Sequence, residues 1–147
     1  MELVALCNEG KNQIAELKTQ TQIFELSYMH DALVIAEICW SLKAALTDVF
    51  YHAWLVTNKR DLFDDPANLE YLWKIVQILV NDFEYKNSTG IENEKAGQYT
   101  SPSDVNFKYA SNNYIFCSVV PSLTSTLKLN IDFEDRGDVL STIAKTA

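Results

Sequence analysis

The sequence predicts a mainly α-helical domain of the α+β class, in which three amphipathic helices precede a C-terminal β-hairpin and a short last helix. Apolar residues recur at steps of three and four through the first two-thirds of the chain, which indicates helices. Only four glycines and three prolines interrupt the 147 residues, which favours long regular elements. An all-α bundle is the alternative, because the hairpin depends on one β-forming segment near the C-terminus.

The first two helices are predicted at about residues 2–27 and 31–57. The second is apolar over most of its circumference, which is typical of a central helix. The first carries a single apolar stripe that continues in phase into the second, so one long helix across both segments is the alternative. The stripe consists of Leu3, Cys7, Gly10, Ile14, Leu17, Thr21, Phe24 and Tyr28.

The third helix is predicted at about residues 66–86. Asp65 can accept hydrogen bonds from the first N–H groups of a helix, and Pro66 suits the first helical position. The following segment, residues 87–104, has little apolar content and is predicted to be a loop.

The predicted hairpin occupies the C-terminal third, with strands at about residues 113–120 and 124–133. The first segment is rich in β-forming residues, and the second alternates apolar and polar residues. Pro121 and Ser122 between them suit a turn, although a helix interrupted by the proline is a competing interpretation. A last short helix is predicted at about residues 138–145.

The length and composition are those of a single globular domain that spans residues 1–147. The net charge of −8 and the scattered basic residues exclude nucleic acid as a partner and are compatible with a basic protein partner. The apolar stretch from Ala32 to Val56 is interrupted by Glu37, Lys43, Asp48 and His52, so no membrane association is expected.

The cysteines and the N-terminus predict a cytoplasmic protein. Cys7, Cys39 and Cys117 have no metal-binding spacing, and their apolar neighbours predict buried, reduced thiols. The N-terminal segment lacks the basic residues and the apolar length of a secretory signal.

One polar stripe is a candidate ligand-binding site. Projected on a continuous helix, four side chains and Ser41 fall within roughly 60° of one another. The stripe faces either water or a polar cavity, in which carboxylates and imidazoles could bind a small molecule or act as acid and base. The four candidates are His30, Glu37, Asp48 and His52. No metal site, cofactor or catalytic residue is predicted, because the paired Glu-x-x-His motifs of helical metal sites and the known nucleophile motifs are absent.

Two acidic clusters are candidate docking sites for a basic partner. The first consists of Asp61, Asp64 and Asp65, and the second of Asp132, Glu134 and Asp135. A solvated connection that caps the following helix explains the same residues and is the favoured interpretation.

The size, charge and lack of motifs favour a small acidic, soluble protein-interaction domain that binds a basic partner. Immunity proteins, inhibitors and accessory proteins of mobile elements have this profile, so a non-enzymatic role is favoured. The alternative is a small-molecule-binding helical domain or a small enzyme that uses the polar stripe. A homodimer that covers the exposed aromatic residues is a third possibility.

Overall fold

The computed structural model describes residues 2–9, 12–36, 39–56, 60–96, 109–129 and 131. The described residues form six helices and contain no β-strand. Three helices include a wider π-helical part, at Thr19–Ile23, Tyr51–Leu55 and Tyr114–Val119. The helices are α1 (Glu2–Glu9), α2 (Gln13–Lys18), α3 (Leu26–Ile35), α4 (Trp40–Phe50), α5 (Pro66–Ala96) and α6 (109–128).

The predicted C-terminal β-hairpin, and with it the α+β class, is wrong, because residues 109–128 form the single helix α6. Pro121 does not make a turn. It is the second residue of the α-helical part Val120–Lys128, directly after the π-helical part, where the regular hydrogen-bond spacing of the helix already changes. The buried residues of α6 follow helical spacing: Ser111, Tyr114, Ile115, Ser118, Val119, Ser122, Leu123 and Thr126. The all-α alternative fits the described residues.

The N-terminal region is divided into shorter helices than the sequence predicts. The side chain of Asn12 accepts hydrogen bonds from the N–H groups of Ile14 and Ala15 and so starts α2 as a new helix. Extended backbone at Glu25 then precedes α3. A second break lies between α3 and α4, where Cys39 is again extended.

The helix α5 begins where the sequence predicts it and extends further. The Asp65 Oδ1 atom accepts a hydrogen bond of 3.0 Å from the Ala67 N–H, which confirms the predicted cap. The helix has 31 residues, a length of roughly 46 Å, and continues to Ala96 into the segment predicted as a loop. The rest of that segment and the predicted helix at residues 138–145 lie outside the described residues.

The central helix is α4, which packs against α1, α3 and α6, while α5 packs against α3 and α6. These contacts bury one apolar core to which every described helix except α2 contributes. Its largest fully buried side chains are Leu26, Met29, Leu33, Leu46, Val49, Phe50, Leu55, Leu72, Ile75, Leu79 and Tyr114.

The side chain of Gln20 joins two of the π-helical parts, because its Nε2 atom donates a hydrogen bond to the carbonyl oxygen of Ala53. Replacing Gln20 with alanine leaves this buried carbonyl without that donor. We expect Gln20→Ala to lower the free energy of unfolding by roughly 1–3 kcal/mol in urea denaturation. Gln22→Ala, on the same turn but exposed, is the control and should stay within about 0.5 kcal/mol of the wild type. Equal losses in the two variants would contradict a stabilising role for the hydrogen bond.

Candidate functional site

The first member of the predicted polar stripe, His30, lies half-buried on α3 at the contact with α5. Its Nδ1 atom is 2.9 Å from the Asp31 Oδ1 atom. Its ring lies 5.9 Å from the ring of Tyr71, over which the ammonium of Lys74 also lies at 4.8 Å. The imidazole is therefore part of a surface cluster between α3 and α5.

Two other members of the stripe have different neighbours. Asp48 on α4 accepts a hydrogen bond of 2.7 Å from the Ser118 hydroxyl of α6. His52, in the π-helical part after α4, packs edge-on against Tyr51, with ring centroids 5.0 Å apart. The fourth predicted residue, Glu37, lies outside the described residues.

The continuous helix on which the stripe was projected is interrupted, so the projection does not place its described members on one helix face. The projection required continuous helix from residue 30 to residue 52, but α3 ends at Ile35 and α4 begins at Trp40. In addition, the backbone widens after Phe50, which rotates His52 relative to the α-helical positions before it. Across the described part of the chain, no group of three or more His, Cys, Asp or Glu side chains could hold a metal ion.

The acidic cluster of Asp61, Asp64 and Asp65 is exposed on the turn before α5. Asp65 caps the helix, and the side chains of Asp61 and Asp64 are exposed. The second predicted cluster, Asp132, Glu134 and Asp135, lies outside the described residues.

A buried polar cluster, which the sequence did not predict, joins α4, α5 and α6. The ammonium of Lys43 donates hydrogen bonds of 2.8 and 2.7 Å to both carboxylate oxygens of Asp82. The side chains are only 3% and 15% exposed. The phenol of Tyr114 donates a third hydrogen bond, of 2.8 Å, to Asp82 Oδ2. One carboxylate thus connects three helices.

The surroundings of the cluster keep the Tyr114 phenol neutral. Burial raises its pKa far above the usual value of 10, and the charge of Asp82 and the hydrogen bond to it act in the same direction. The buried Thr47 hydroxyl lies close enough to oppose this shift weakly. Because the folded pKa is raised, stability is unaffected below pH 10 and falls as the pH rises above it, where the unfolded chain ionises. The indole of Trp40 lies against the ring of Tyr114, at 5.6 Å between centroids.

This arrangement suits a structural role better than a chemical one. The lysine is paired on both carboxylate oxygens, and the tyrosine donates its only proton to the same group. The sequence held one signal for this cluster, the charge of Lys43 within an apolar stretch. Its partner Asp82 is 39 residues away, which no periodicity could reveal.

The helices α1 and α2 present apolar side chains outwards. The outward face consists of Leu3, Leu6, Cys7, Ile14 and Leu17. The exposed fractions of the four aliphatic residues are 74%, 62%, 70% and 58% in that order, and Cys7 is also exposed. Most of the apolar stripe predicted for the first helix thus faces away from the core.

The opposite side of the same helices is polar and buried. Asn8 is buried and donates hydrogen bonds to the Val4 carbonyl and, at 3.1 Å, to the Thr19 hydroxyl. Glu16 and Gln20 are also buried, and Gln20 bonds to Ala53. These hydrogen bonds fix the polar side inwards, and the apolar side must therefore face outwards.

The predicted burial of the cysteines is wrong, since Cys7, Cys39 and Cys117 are all exposed. An apolar neighbour in the sequence does not indicate burial here, because Leu6 and Phe116 are themselves exposed. Cys7 lies on the outward face of α1, and Cys117 lies on α6 beside the exposed Phe116.

No protein-family model matches the chain, and no curated protein or solved structure is significantly similar to it. Within the described segments, no helix has both the length and the apolar character needed to span a membrane.

Proposed function

We propose that the chain is a small acidic protein-interaction domain. The observation that carries this proposal is the outward face of α1 and α2, where aliphatic side chains are exposed while Asn8, Glu16 and Gln20 are buried. Exposed apolar surface on this scale marks an interaction site in soluble proteins. A folded domain gains no stability from this face unless another protein covers it.

The partner that we propose is basic. The net charge of −8 attracts a positively charged protein, and the exposed carboxylates of Asp61 and Asp64 offer it a local contact. Binding through this turn would resemble the action of an inhibitor or immunity protein that neutralises a basic surface. The small-molecule-binding alternative remains a prediction without support from a shared site, because Asp48 and His52 have separate neighbours.

The test is capture of a partner from the native host by the whole chain, followed by its identification and measurement of the dissociation constant at several salt concentrations. We expect a basic protein whose affinity falls steeply with salt. The Asp61→Asn/Asp64→Asn variant should bind it roughly tenfold less tightly, since two favourable surface charges are lost.

The control is Glu25→Gln/Glu84→Gln, which makes the same change in net charge at two exposed positions elsewhere. It should lower the affinity less than the variant of the acidic turn. A partner whose binding does not depend on salt, or equal losses in the two variants, would rule out the acidic turn as the docking site.

A further inference from the structure

We infer that a second copy of this chain covers the outward face of α1 and α2, so that the protein is a twofold-symmetric dimer. This inference rests on the proposed function and names one partner for one surface. It leaves the acidic turn at Asp61 and Asp64 exposed on both copies for the basic partner.

The face cannot be covered by a rotation of its own helices. Turning α1 inwards would break the hydrogen bond of Asn8 to Thr19, and turning α2 would break that of Gln20 to Ala53. Each rotation would leave buried polar groups without hydrogen-bond partners, which costs free energy. A second molecule docked on this face would remove these aliphatic side chains from water.

The spacing of the apolar residues suits a face that pairs with itself. Leu3 and Leu6 on α1 are three residues apart, and Ile14 and Leu17 on α2 have the same spacing. A twofold axis brings the same patch of two subunits together, so the row on α1 can lie against the row on α2 of the second copy. Rows of equal spacing allow the side chains of one helix to fit between those of the other.

The charges beside the face favour a second copy over a basic protein. Glu9 flanks the apolar row of α1, Lys18 flanks that of α2, and both are exposed. When α1 packs on α2 of the second copy, each Glu9 meets the other copy's Lys18, as charged residues do beside the apolar positions of a coiled coil. Because the charges of Glu9 and Lys18 cancel, the net charge of −8 does not cause local repulsion between the two copies at this interface. A basic partner would instead meet Lys18 as a like charge.

The first experiment measures the mass of the full chain by sedimentation equilibrium over the micromolar range. We expect a dimer for the wild type and a monomer for Leu6→Glu, because two unpaired carboxylates would be buried in the interface. Phe116→Glu on α6 is the matched control, since Phe116 is 67% exposed and Leu6 is 62% exposed. This control should remain a dimer. Circular dichroism should show that both variants keep the helical fold.

A charge exchange tests the pairing itself. Glu9→Lys and Lys18→Glu should each lower the association constant about fivefold, because each removes two exposed ion pairs from the symmetric interface. The two changes together restore opposite charges and should return the constant towards the wild-type value. Additive losses in the double variant would overturn the proposed pairing.

Thiol labelling gives an independent readout without a substitution. Cys7 lies on the outward face, and Cys117 lies on α6. Maleimide labelling of Cys7 should slow as the protein concentration rises through the dimer range, while labelling of Cys117 should not change. A wild-type chain that stays monomeric, or Cys7 labelling that ignores concentration, would overturn the dimer. Because binding of a basic partner is measured with variants of the acidic turn, that result would leave the proposed function standing.

Discussion

Replacing Lys43 with methionine is expected to lower the free energy of unfolding by roughly 3–5 kcal/mol, because it leaves the carboxylate of Asp82 buried without its counter-charge. Methionine keeps most of the aliphatic volume of the lysine, so the loss reports mainly on the charge. Tyr114 continues to donate to Asp82 but brings no positive charge. Urea denaturation monitored by circular dichroism measures the change.

The control for this variant is Lys74→Met, which removes the exposed ion pair between Lys74 and Glu70 on α5. An exposed pair contributes at most about 1 kcal/mol, so this variant should differ little from the wild type. Adding Asp82→Asn to Lys43→Met removes the isolated charge and keeps an acceptor for Tyr114. The effects of the two substitutions on the free energy of unfolding should be non-additive, with a coupling free energy of at least about 1 kcal/mol. Similar losses for the buried and exposed lysines would contradict the buried ion pair.

Replacing Phe50 with alanine is the second change with a large expected effect, a loss of roughly 3–5 kcal/mol in the free energy of unfolding. Phe50 is fully buried at the C-terminal end of α4, the helix that contacts α1, α3 and α6. Removing its ring leaves a cavity that these neighbouring helices cannot fill without moving. The change is again measured by urea denaturation, from the midpoint and the slope of the unfolding transition.

The same substitution at Phe116 on α6 provides a control of identical chemistry. Phe116 is largely exposed, so Phe116→Ala should change the stability by no more than about 0.5 kcal/mol. In the β-hairpin interpretation, Phe116 and the buried Tyr114 would share one face. A large loss at Phe116 would therefore contradict the helical structure of this segment.

The parts of the fold that depend on local signals could be predicted from the sequence. Asp65 and Pro66 indicated the start of α5, and four apolar residues that follow at helical spacing are buried: Leu72, Val76, Leu79 and Phe83. Cap chemistry and helical periodicity act over a few residues, so one sequence contains all the information they need.

The C-terminal helix could not be predicted because its residues have the wrong intrinsic preference. Thr124 and Thr126 favour strands, yet in α6 their hydroxyls bond to the carbonyls of Val120 and Ser122, at 2.8 and 2.9 Å. The decisive contribution is packing against α4 and α5, which overrides local propensity.

The candidate sites were less predictable than the helices. The polar stripe assumed one helix phase from His30 to His52, and that phase is lost at the break before Trp40. The apolar stripe of the first segment was recognised, but a periodic pattern does not tell which side of a helix packs on the core. The buried pair of Lys43 and Asp82 depends on tertiary neighbours alone.

The carboxylate of Asp82 also has a consequence for the order in which the protein assembles. Lys43 and Tyr114 belong to α4 and α6, and they meet on a side chain of α5. An intermediate that has docked α4 on α5 still lacks the hydroxyl donor and the cover that Tyr114 supplies. Such a species buries the ion pair of Lys43 and Asp82 while one lone pair of the carboxylate lacks a hydrogen bond. Its free energy is therefore little lower than that of the unfolded chain. We therefore expect these three helices to gain and lose their structure in one cooperative step, which is completed only after the ribosome has released the last of them.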